Sequence, residues 1–520
     1  MHAKRLAALA LGLLALGSAT APTALARHTS AGAAHAATTL APVRAPDRAH
    51  AASHRGPTVS RILLSLRASG AIAPADYNRY YAAYLAAKHS LGHLSGTRRT
   101  ELGAVLANVQ AIAAAGELTA SRLPAVFLTL ERNRTWWTTE PLLSSGERVS
   151  FPNSKLIWEY YPGQGIEIQW LATFGEGNGF FLSGHENANL RQLASEVIPL
   201  ASKRAGGIAW EYLFSFDGGA PPWTSGLSQG TGLEMLARAY SRFKEPALLS
   251  AAQQALGIFH TAPPQGVRVK TAAGAMYAEY TYAPGDRILN GFIQALVGLY
   301  EYTAITQDPA GLALFEAGDA EARVEVPHYD TGGWSLYDQF GESNLNYHEL
   351  LTEFLQHLCE RTRKGLPSST PVPPSSTPTP APGTGASGGA TAAAASTTSP
   401  AASSAAASVP IAADQVYCTT AQRFTADLTT PPAVALLSRT LRGGTRAGVQ
   451  LSLSKISTVR LTVRQGRRVV ATNSAYLGRG KPRLLWSTPA AGGTFNVTLS
   501  ATDPAGNFAT ATGTIVVSHR

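Results

Sequence analysis

The sequence predicts a mainly α-helical protein that ends in a β-sandwich. From about residue 60 to residue 364, apolar residues recur at the i, i+3, i+4 spacing of amphipathic helices. Residues 366–413 consist almost wholly of Pro, Ser, Thr, Ala and Gly, a composition typical of an extended linker. After this linker, apolar and polar residues alternate, which is the period of β-strands.

The first 26 residues have the three parts of a secretory signal peptide. Lys4 and Arg5 are followed by an apolar run over 6–16, and Ala24-Leu25-Ala26 gives the small-x-small pattern that precedes a cleavage site. The apolar run is shorter than the roughly 20 residues that span a membrane. We therefore expect an exported protein that is secreted or associated with the cell surface.

The rest of the chain divides by composition and period. The predicted segments are a disordered leader (27–59), a helical preface (60–122), a second helical domain (123–365), the linker (366–413) and a β-sandwich (414–520). In the second helical domain, Ser225, Pro246 and Pro309 stand where helices begin, and 288–302 is strongly apolar. Repeated helical hairpins of this kind commonly close into an α/α toroid, so we expect a toroid-like domain.

Alternating apolar and polar residues in the C-terminal segment predict short strands, for example over 449–453, 459–463 and 495–499. Strands of this length with regular turns indicate an immunoglobulin-like sandwich. Residues 414–520 contain 13 Lys and Arg against 3 Asp and Glu. We interpret this segment as a tethered, mechanically independent module that contacts a cell wall or another anionic polymer. A purely structural appendage is the alternative. We expect no nucleic acid partner.

Cofactor and metal signatures are missing from the sequence. His328, His348 and His357 are dispersed, and there is no Gly-rich phosphate-binding fingerprint. We therefore expect neither metal nor cofactor. The two cysteines, Cys359 and Cys418, exclude a disulfide scaffold; we interpret them as incidental thiols, although an oxidising compartment would allow them to pair.

Five stretches rich in Tyr, Trp and Gly lie between the predicted helices. They cover residues 158–165, 219–230, 277–280, 329–338 and 346–348. In a toroid, loops at one end surround the central cavity, and aromatic faces there suit sugar rings. Each stretch alone is more typical of an aromatic core with turn glycines, but the five together favour a carbohydrate site.

These stretches resemble the C-terminal domain of the D-glucuronyl C5-epimerases. The similarity rests on the apolar helix 288–300, Glu279-Tyr280, Tyr329-Asp330-Thr331-Gly332 with Tyr337-Asp338, Asn346-Tyr347-His348 and the helix start Ser228-Gln229-Gly230. It extends over roughly residues 155–362. The resemblance implies an isomerase that converts D-glucuronate to L-iduronate residues in an acidic polysaccharide or glycosaminoglycan.

Inversion at C5 needs one group that removes a proton and another that returns one on the opposite ring face. The resemblance assigns these roles to a glutamate and three tyrosines: Glu279, Tyr280, Tyr337 and Tyr347. A tyrosine acts as the base only if a cation or a hydrogen-bond donor lowers its pKa from about 10. As substrate-binding residues we predict Tyr161, Trp223, Gln229, Arg287 and Asn290, with Arg287 neutralising the enolate-like intermediate or serving only as a solvated helix-start residue.

The chain also departs from the animal members of this family. Gln339-Phe340-Gly341 stands where they have Leu-Arg-His, and residues 131–413 contain 26 Asp and Glu against 17 Lys and Arg. Both features favour an unsulfated glucuronan or an acidic wall glycan over a heparin-like polymer. A polysaccharide lyase, which starts with the same proton removal, and a non-catalytic glycan-binding surface protein are the alternatives.

Overall fold

The computed structural model of the chain describes residues 56–366 and 415–519. The predicted signal peptide, most of the predicted leader and nearly all of the predicted linker lie outside the described residues. The helices are α1 (Val59–Ala68), α2 (Pro74–His93), α3 (Gly96–Ala114), α4 (Leu123–Thr139), α5 (Trp170–Ser183), α6 (Asn187–Val197), α7 (Gly226–Phe243), α8 (Pro246–Ala255), α9 (Gly257–His260), α10 (Leu289–Thr306), α11 (Pro309–Glu325), α12 (Leu345–Lys364) and α13 (Gln415–Asp427).

The strands form small sheets in the helical part and two larger sheets in the C-terminal part. In the helical part they are β1 (Arg148–Val149), β2 (Trp158–Tyr161), β3 (Gly165–Ile168), β4 (Ser202–Arg204), β5 (Gly207–Ala209), β6 (Arg268–Lys270) and β7 (Ala275–Tyr277). In the C-terminal part they are β8 (Val434–Leu436), β9 (Thr440–Arg442), β10 (Arg446–Leu453), β11 (Ser457–Gln465), β12 (Arg468–Leu477), β13 (Arg483–Ser487), β14 (Gly493–Thr502) and β15 (Phe508–Ser518).

The helix starts follow the signals in the sequence. The Ser225 hydroxyl accepts a hydrogen bond from the backbone N–H of Ser228 at the start of α7. Pro246 and Pro309 are the first residues of α8 and α11. The predicted mainly helical domain is therefore confirmed, and its closure into a toroid stays a prediction.

Helices α7 and α10 lie against each other inside this domain, and glycines set their separation. A Cβ atom on Gly230 would lie 2.6 Å from the Cα atom of Ala295, and one on Gly298 would meet the backbone of Gly230. No side chain fits between the two backbones at this point. The close contact fixes the relative position of the two N-terminal ends, where the candidate site lies.

The C-terminal strands form two sheets around one hydrophobic core. The strand order is β13-β10-β8 in one sheet and β12-β11-β14-β15-β9 in the other, with only the β15–β9 pair parallel. Alternate residues such as Val459, Leu461 and Val463 point into the shared core. The separate β-rich C-terminal region is confirmed, and its immunoglobulin-like topology stays a prediction.

The predicted β-sandwich segment begins with a helix that belongs to the helical domain. Tyr417 and Phe424 of α13 are buried in the helical core, and the Tyr417 hydroxyl donates to Asp319 of α11 over 2.8 Å. Cys418 of α13 forms a disulfide with Cys359 of α12. The interpretation of the two cysteines as incidental thiols is therefore wrong, and so is that of a mechanically independent C-terminal module.

In the described ranges, no helix is both long and apolar enough to cross a membrane.

The disulfide is expected to stabilise the fold substantially. The two cysteines are 59 residues apart in the sequence. In the chain-entropy model, a disulfide that closes a loop of this length stabilises the folded state by about 4 kcal/mol. The double variant Cys359→Ser/Cys418→Ser should lose free energy of unfolding of this order in guanidinium denaturation. Reduced wild-type protein should match the variant. Two titratable thiols in the native, unreduced protein would contradict the pairing.

Candidate active site

Glu279 and Tyr280 are held at the start of α7 by backbone hydrogen bonds on both sides. The N–H of Gly226 donates to the carbonyl of Ala278 over 3.0 Å, and the N–H of Thr281 donates to the carbonyl of Thr224 over 3.1 Å. The Glu279 carboxyl packs against Gly291 in the first turn of α10, where a Cβ atom would lie 3.1 Å from its Cδ. The glutamate therefore lies between the starts of the two central helices.

The Glu279 carboxyl lies in a desolvated environment that makes it unusually basic for a carboxyl. The residue is 8 % exposed, and its Oε2 atom has no hydrogen-bond partner among the described residues. Burial raises its pKa to about 7, against which a hydrogen bond from Tyr280 acts. A carboxyl with this pKa exchanges protons readily at neutral pH, which is what a general acid or base needs.

Tyr337 and Tyr347 lie beside this carboxyl. Their ring centroids are 4.5 Å apart. A hydrogen bond between their hydroxyls couples the two groups, raising the pKa of Tyr337 and acting to lower that of Tyr347. The Glu279 charge acts on the pKa of both hydroxyls and on that of Tyr280. The structure thus brings the four predicted catalytic residues together.

The tyrosines hold their protons firmly. Burial, followed by the Glu279 charge, raises the pKa of Tyr347 to about 12 and moves the pKa values of Tyr280 and Tyr337 further upward. A tyrosine base would need the opposite shift, from a nearby cation or donor. All three tyrosines are proton donors at neutral pH, and Glu279 is the group suited to be the base.

An aromatic wall extends from Tyr280. Tyr280 stacks on Tyr282 at 5.3 Å and lies 6.1 Å from Phe216, whose ring contacts Tyr161 at 6.4 Å. Tyr161, predicted to bind substrate, is thus part of the same wall. Trp223 is in this cluster but is 4 % exposed, with its ring stacked between Tyr212 and Phe216.

Trp223 therefore supports the wall and does not offer a free face to a sugar. Gln229 is likewise structural: its side-chain amide pairs with the backbone N–H and carbonyl of Trp210, and it is fully buried. Both side chains have the contacts typical of aromatic and polar groups that pack at a helix start. Neither is available for the substrate-binding role predicted from the sequence.

Arg287 does not point its charge at the cluster. Its guanidinium pairs with Glu321 at 2.6 Å and with Glu325 at 2.7 Å, both on α11. These pairs would have to break before it neutralised an intermediate. Asn290, by contrast, lies in the first turn of α10, is 3 % exposed and has an Oδ1 atom without a partner among the described residues. Asn290 is therefore a suitable group for substrate.

Three residues of the site were not predicted from the sequence. Tyr282 is half-buried, and its hydroxyl has no partner in the described ranges. Glu159 and Glu279 both act on the pKa of Tyr212. Their signals were weak: Tyr282 follows Tyr280 by two residues in a turn, and Glu159 adjoins the Tyr160-Tyr161-Pro162 stretch.

Three carboxylates, those of Asp217, Asp286 and Asp338, lie near Tyr282 or near one another at the margin of this cluster. Burial raises the pKa of Asp286, and the charges of Asp338 and Asp217 raise it further. The same Asp217 and Asp286 act on Tyr282. Among the described residues, no group of three His, Cys, Asp or Glu side chains is arranged to hold a metal ion.

Comparison with known proteins addresses the part of the chain that contains the four-residue cluster. The family profile described as the D-glucuronyl C5-epimerase C-terminus matches residues 205–369. The resemblance to the D-glucuronyl C5-epimerase family is confirmed over this segment. It contains every predicted site residue except Tyr161.

Two relatives show how far the similarity extends. The D-glucuronyl C5-epimerase of Caenorhabditis elegans is 31% identical over 131 residues, which are 23% of this chain and 21% of the worm protein. An uncharacterized protein of Methanocaldococcus jannaschii is 27% identical over 169 residues, 31% of this chain and 55% of that protein. The chain thus spans about a fifth of the first relative and about half of the second.

The raised pKa of Glu279 predicts a distinctive pH dependence for any reaction in which this carboxyl is the base. Glu279 is a base only when ionised, and its pKa of about 7 places that change at neutral pH. The neighbouring tyrosines stay protonated there because their pKa values are raised. Turnover should therefore rise with pH through about 7 and fall as the pH drops below it.

Glu279→Gln should lower turnover by at least about a hundredfold, because it removes the proton acceptor and keeps the shape. Glu353→Gln is the matched control, since burial also raises the pKa of Glu353 to about 7 but it is not one of the clustered residues. The measurement is kcat/KM against pH for each variant, with thermal melting to check folding. A Glu279→Gln protein that is unfolded would instead assign the residue a structural role.

Proposed function

We propose that the chain is an exported epimerase that inverts C5 of D-glucuronate residues in an acidic polysaccharide, giving L-iduronate. The observation that supports this most directly is the buried cluster of one carboxyl and three tyrosines, with an unpaired oxygen on Glu279. Similarity of residues 205–369 to the C5-epimerase C-terminus supports the same reaction. Export is proposed from the signal peptide pattern of residues 1–26.

In the proposed reaction, ionised Glu279 takes the C5 proton. The electron pair of the broken C–H bond moves into the adjoining carboxylate, giving an enolate-like dianion. Tyr347 then donates its hydroxyl proton to C5 from the opposite ring face, and the resulting tyrosinate is stabilised by the hydrogen bond from Tyr337. The substrate gains and loses one proton, so its composition is unchanged. Exchange with water restores Glu279 and Tyr347.

The developing negative charge needs stabilisation that Arg287 does not supply in this structure. Helices α7, α10 and α12 all begin at the cluster. The backbone N–H of Gly226, in α7, donates to the carbonyl of Ala278, and that of Leu289, in α10, donates to the carbonyl of Tyr337. Tyr347 lies in the first turn of α12. The N-terminal end of a helix has a partial positive charge. We propose that these three ends interact with the substrate carboxylate. The unpartnered Oδ1 atom of Asn290 is proposed to accept a hydrogen bond from a sugar hydroxyl.

The proposed substrate carries uronate carboxylates but no sulfate groups. The carboxylates of Asp217, Asp286 and Asp338 near the cluster would repel the additional charge of sulfate groups. Phe340, three residues after Tyr337, is 81 % exposed and offers a ring face for a sugar. An unsulfated glucuronan or an acidic wall glycan fits both features. The basic C-terminal region is proposed to contact the same polymer or an anionic wall.

Deuterium exchange tests the proposed reaction. Incubation with unsulfated glucuronate polymers in D2O should place deuterium at C5 and produce iduronate, as measured by NMR. Absorbance from an unsaturated uronate would identify a lyase. Binding to the polymers without exchange would identify a glycan-binding protein, and would exclude both enzyme activities for those polymers.

Phe340→Ala tests the contact with the sugar chain. Loss of one aromatic face is expected to raise KM several-fold, because an aromatic contact is worth about 1 kcal/mol. The kcat should stay close to that of wild type, since Phe340 is not part of the proton transfer. The control is Phe508→Ala, another exposed phenylalanine that lies on β15. An unchanged KM for Phe340→Ala would place the sugar chain elsewhere.

A further inference from the structure

Tyr337 lies on a loop, residues 330–344, between a 3₁₀ turn (Val326–Tyr329) and α12. Backbone hydrogen bonds give the loop a defined shape. The N–H of Tyr337 donates to the carbonyl of Gly341 over 2.8 Å, and Leu336 forms an isolated β-bridge with Glu342. The position of Tyr337 therefore depends on Glu342.

Glu342 is held by the β-rich region. Its Oε2 atom accepts a hydrogen bond from the backbone N–H of Arg479 over 3.2 Å, while Oε1 has no partner among the described residues. The backbone N–H of Ile456 also faces this carboxylate and acts to lower its pKa, against the burial that raises it. The Glu342 side chain is only 8 % exposed. The guanidinium Nε of Arg479 lies 4.0 Å away. Since a buried carboxylate needs donors, the loop is bound to these two backbone groups.

A second contact between the same parts is a stack of three side chains. Lys455, 1 % exposed, lies over the ring of Trp334 at 5.3 Å from its centroid, and Trp334 stacks on His348 at 3.8 Å. Lys455 is paired with Asp503 at 2.7 Å. Trp334 belongs to the loop, and His348 follows Tyr347 in α12.

His348 joins the same parts through its ring nitrogens. Nε2 donates to the carbonyl of Phe424 in α13 over 3.0 Å, and Nδ1 accepts from the backbone N–H of Ser335 over 3.2 Å. Burial lowers its pKa to about 4, so the ring is neutral, as these bonds require. One imidazole thus links α12, the loop and α13.

We propose that the C-terminal region is an obligatory part of the catalytic centre, in which Glu342 is the positioning residue that holds the Tyr337 loop. This rests on the proposed epimerase function. It replaces the sequence-based interpretation of a tethered, mechanically independent module. The C-terminal region acts through two backbone N–H groups, the Lys455–Trp334–His348 stack and the Cys359–Cys418 bridge.

Substitution of Glu342 in the full-length chain tests the proposal. Glu342→Ala should lower kcat about tenfold or more while KM stays within a factor of about two. A misplaced Tyr337 no longer stabilises the Tyr347 tyrosinate, which slows chemistry more than it weakens binding. Glu342→Gln keeps an acceptor oxygen and should restore most of kcat. Arg467→Ala is the control for kcat and loop protection, since Arg467 lies in the β11–β12 turn, at the end of β11 away from Lys455. A contact of Arg467 with the polymer would change KM and leave both readouts unaltered.

Hydrogen exchange followed by mass spectrometry supplies a readout that does not depend on activity. The backbone N–H groups of Leu336, Tyr337 and Ser343 are hydrogen-bonded and should exchange slowly in wild type, Glu342→Gln and Arg467→Ala. They should exchange faster in Glu342→Ala. Unchanged protection, or lost protection with unchanged kcat, would overturn the proposal. If Glu342→Ala loses protection but the wild-type protein shows no C5 exchange, the epimerase function is refuted, while the role of Glu342 in holding the loop is supported.

A cleavage experiment decides the matter if Glu342→Ala does not fold. A protease site inserted within residues 367–414 allows the linker to be cut while Cys359–Cys418 still joins the two pieces. The cut, oxidised protein should retain kcat and loop protection. Reduction of the disulfide, followed by separation of the two pieces, should abolish both kcat and the protection of the loop. An isolated N-terminal piece that is folded and fully active on short substrates would overturn the proposal.

Discussion

The backbone contact between α7 and α10 is the constraint on which the rest of the site depends. Gly230 and Gly298 allow the two helices to approach until no side chain fits between them. Their starts then lie on either side of the Glu279 segment, which bonds to α7 through Gly226 and packs its carboxyl on Gly291 of α10. A larger separation would open the pocket to water, and the carboxyl would lose the burial that sets its pKa.

That burial divides the chemical roles among the four clustered residues. The same desolvation raises the pKa of a carboxyl and that of a phenol. The shift raises the pKa of Glu279 to about 7, so its ionised and protonated forms are both populated at neutral pH. It raises the pKa of Tyr347 to about 12, so only the protonated phenol is populated at neutral pH. One physical effect therefore yields a base and a set of proton donors without any nearby cation. Arg287, expected to provide such a cation, is paired on α11.

The sequence was informative wherever a local pattern decides the structure. The capping residue Ser225, the first-turn Pro309 and the alternation around Leu461 each predicted an element that the structure contains. The motifs likewise predicted Glu279 and its three tyrosines. The features that could not be predicted depend on partners distant in the chain. Gln229 is hydrogen-bonded to the backbone of Trp210, Arg287 is paired with Glu321, and Cys359 forms a disulfide with Cys418. A residue's type does not reveal whether its polar group is already satisfied.

The Tyr337 loop shows why such distant partners bear on function. Among residues 331–343, Trp334 is the only large apolar side chain that is buried, so the loop has little hydrophobic core of its own to keep it ordered. Its buried groups face other elements: Trp334 meets Lys455 and His348, and Glu342 meets two backbone groups of the C-terminal region. A proton donor must be held within a fraction of an ångström to act. The order that the loop does not generate locally is therefore supplied by a region some 120 residues further along the chain, between Lys455 and Arg479.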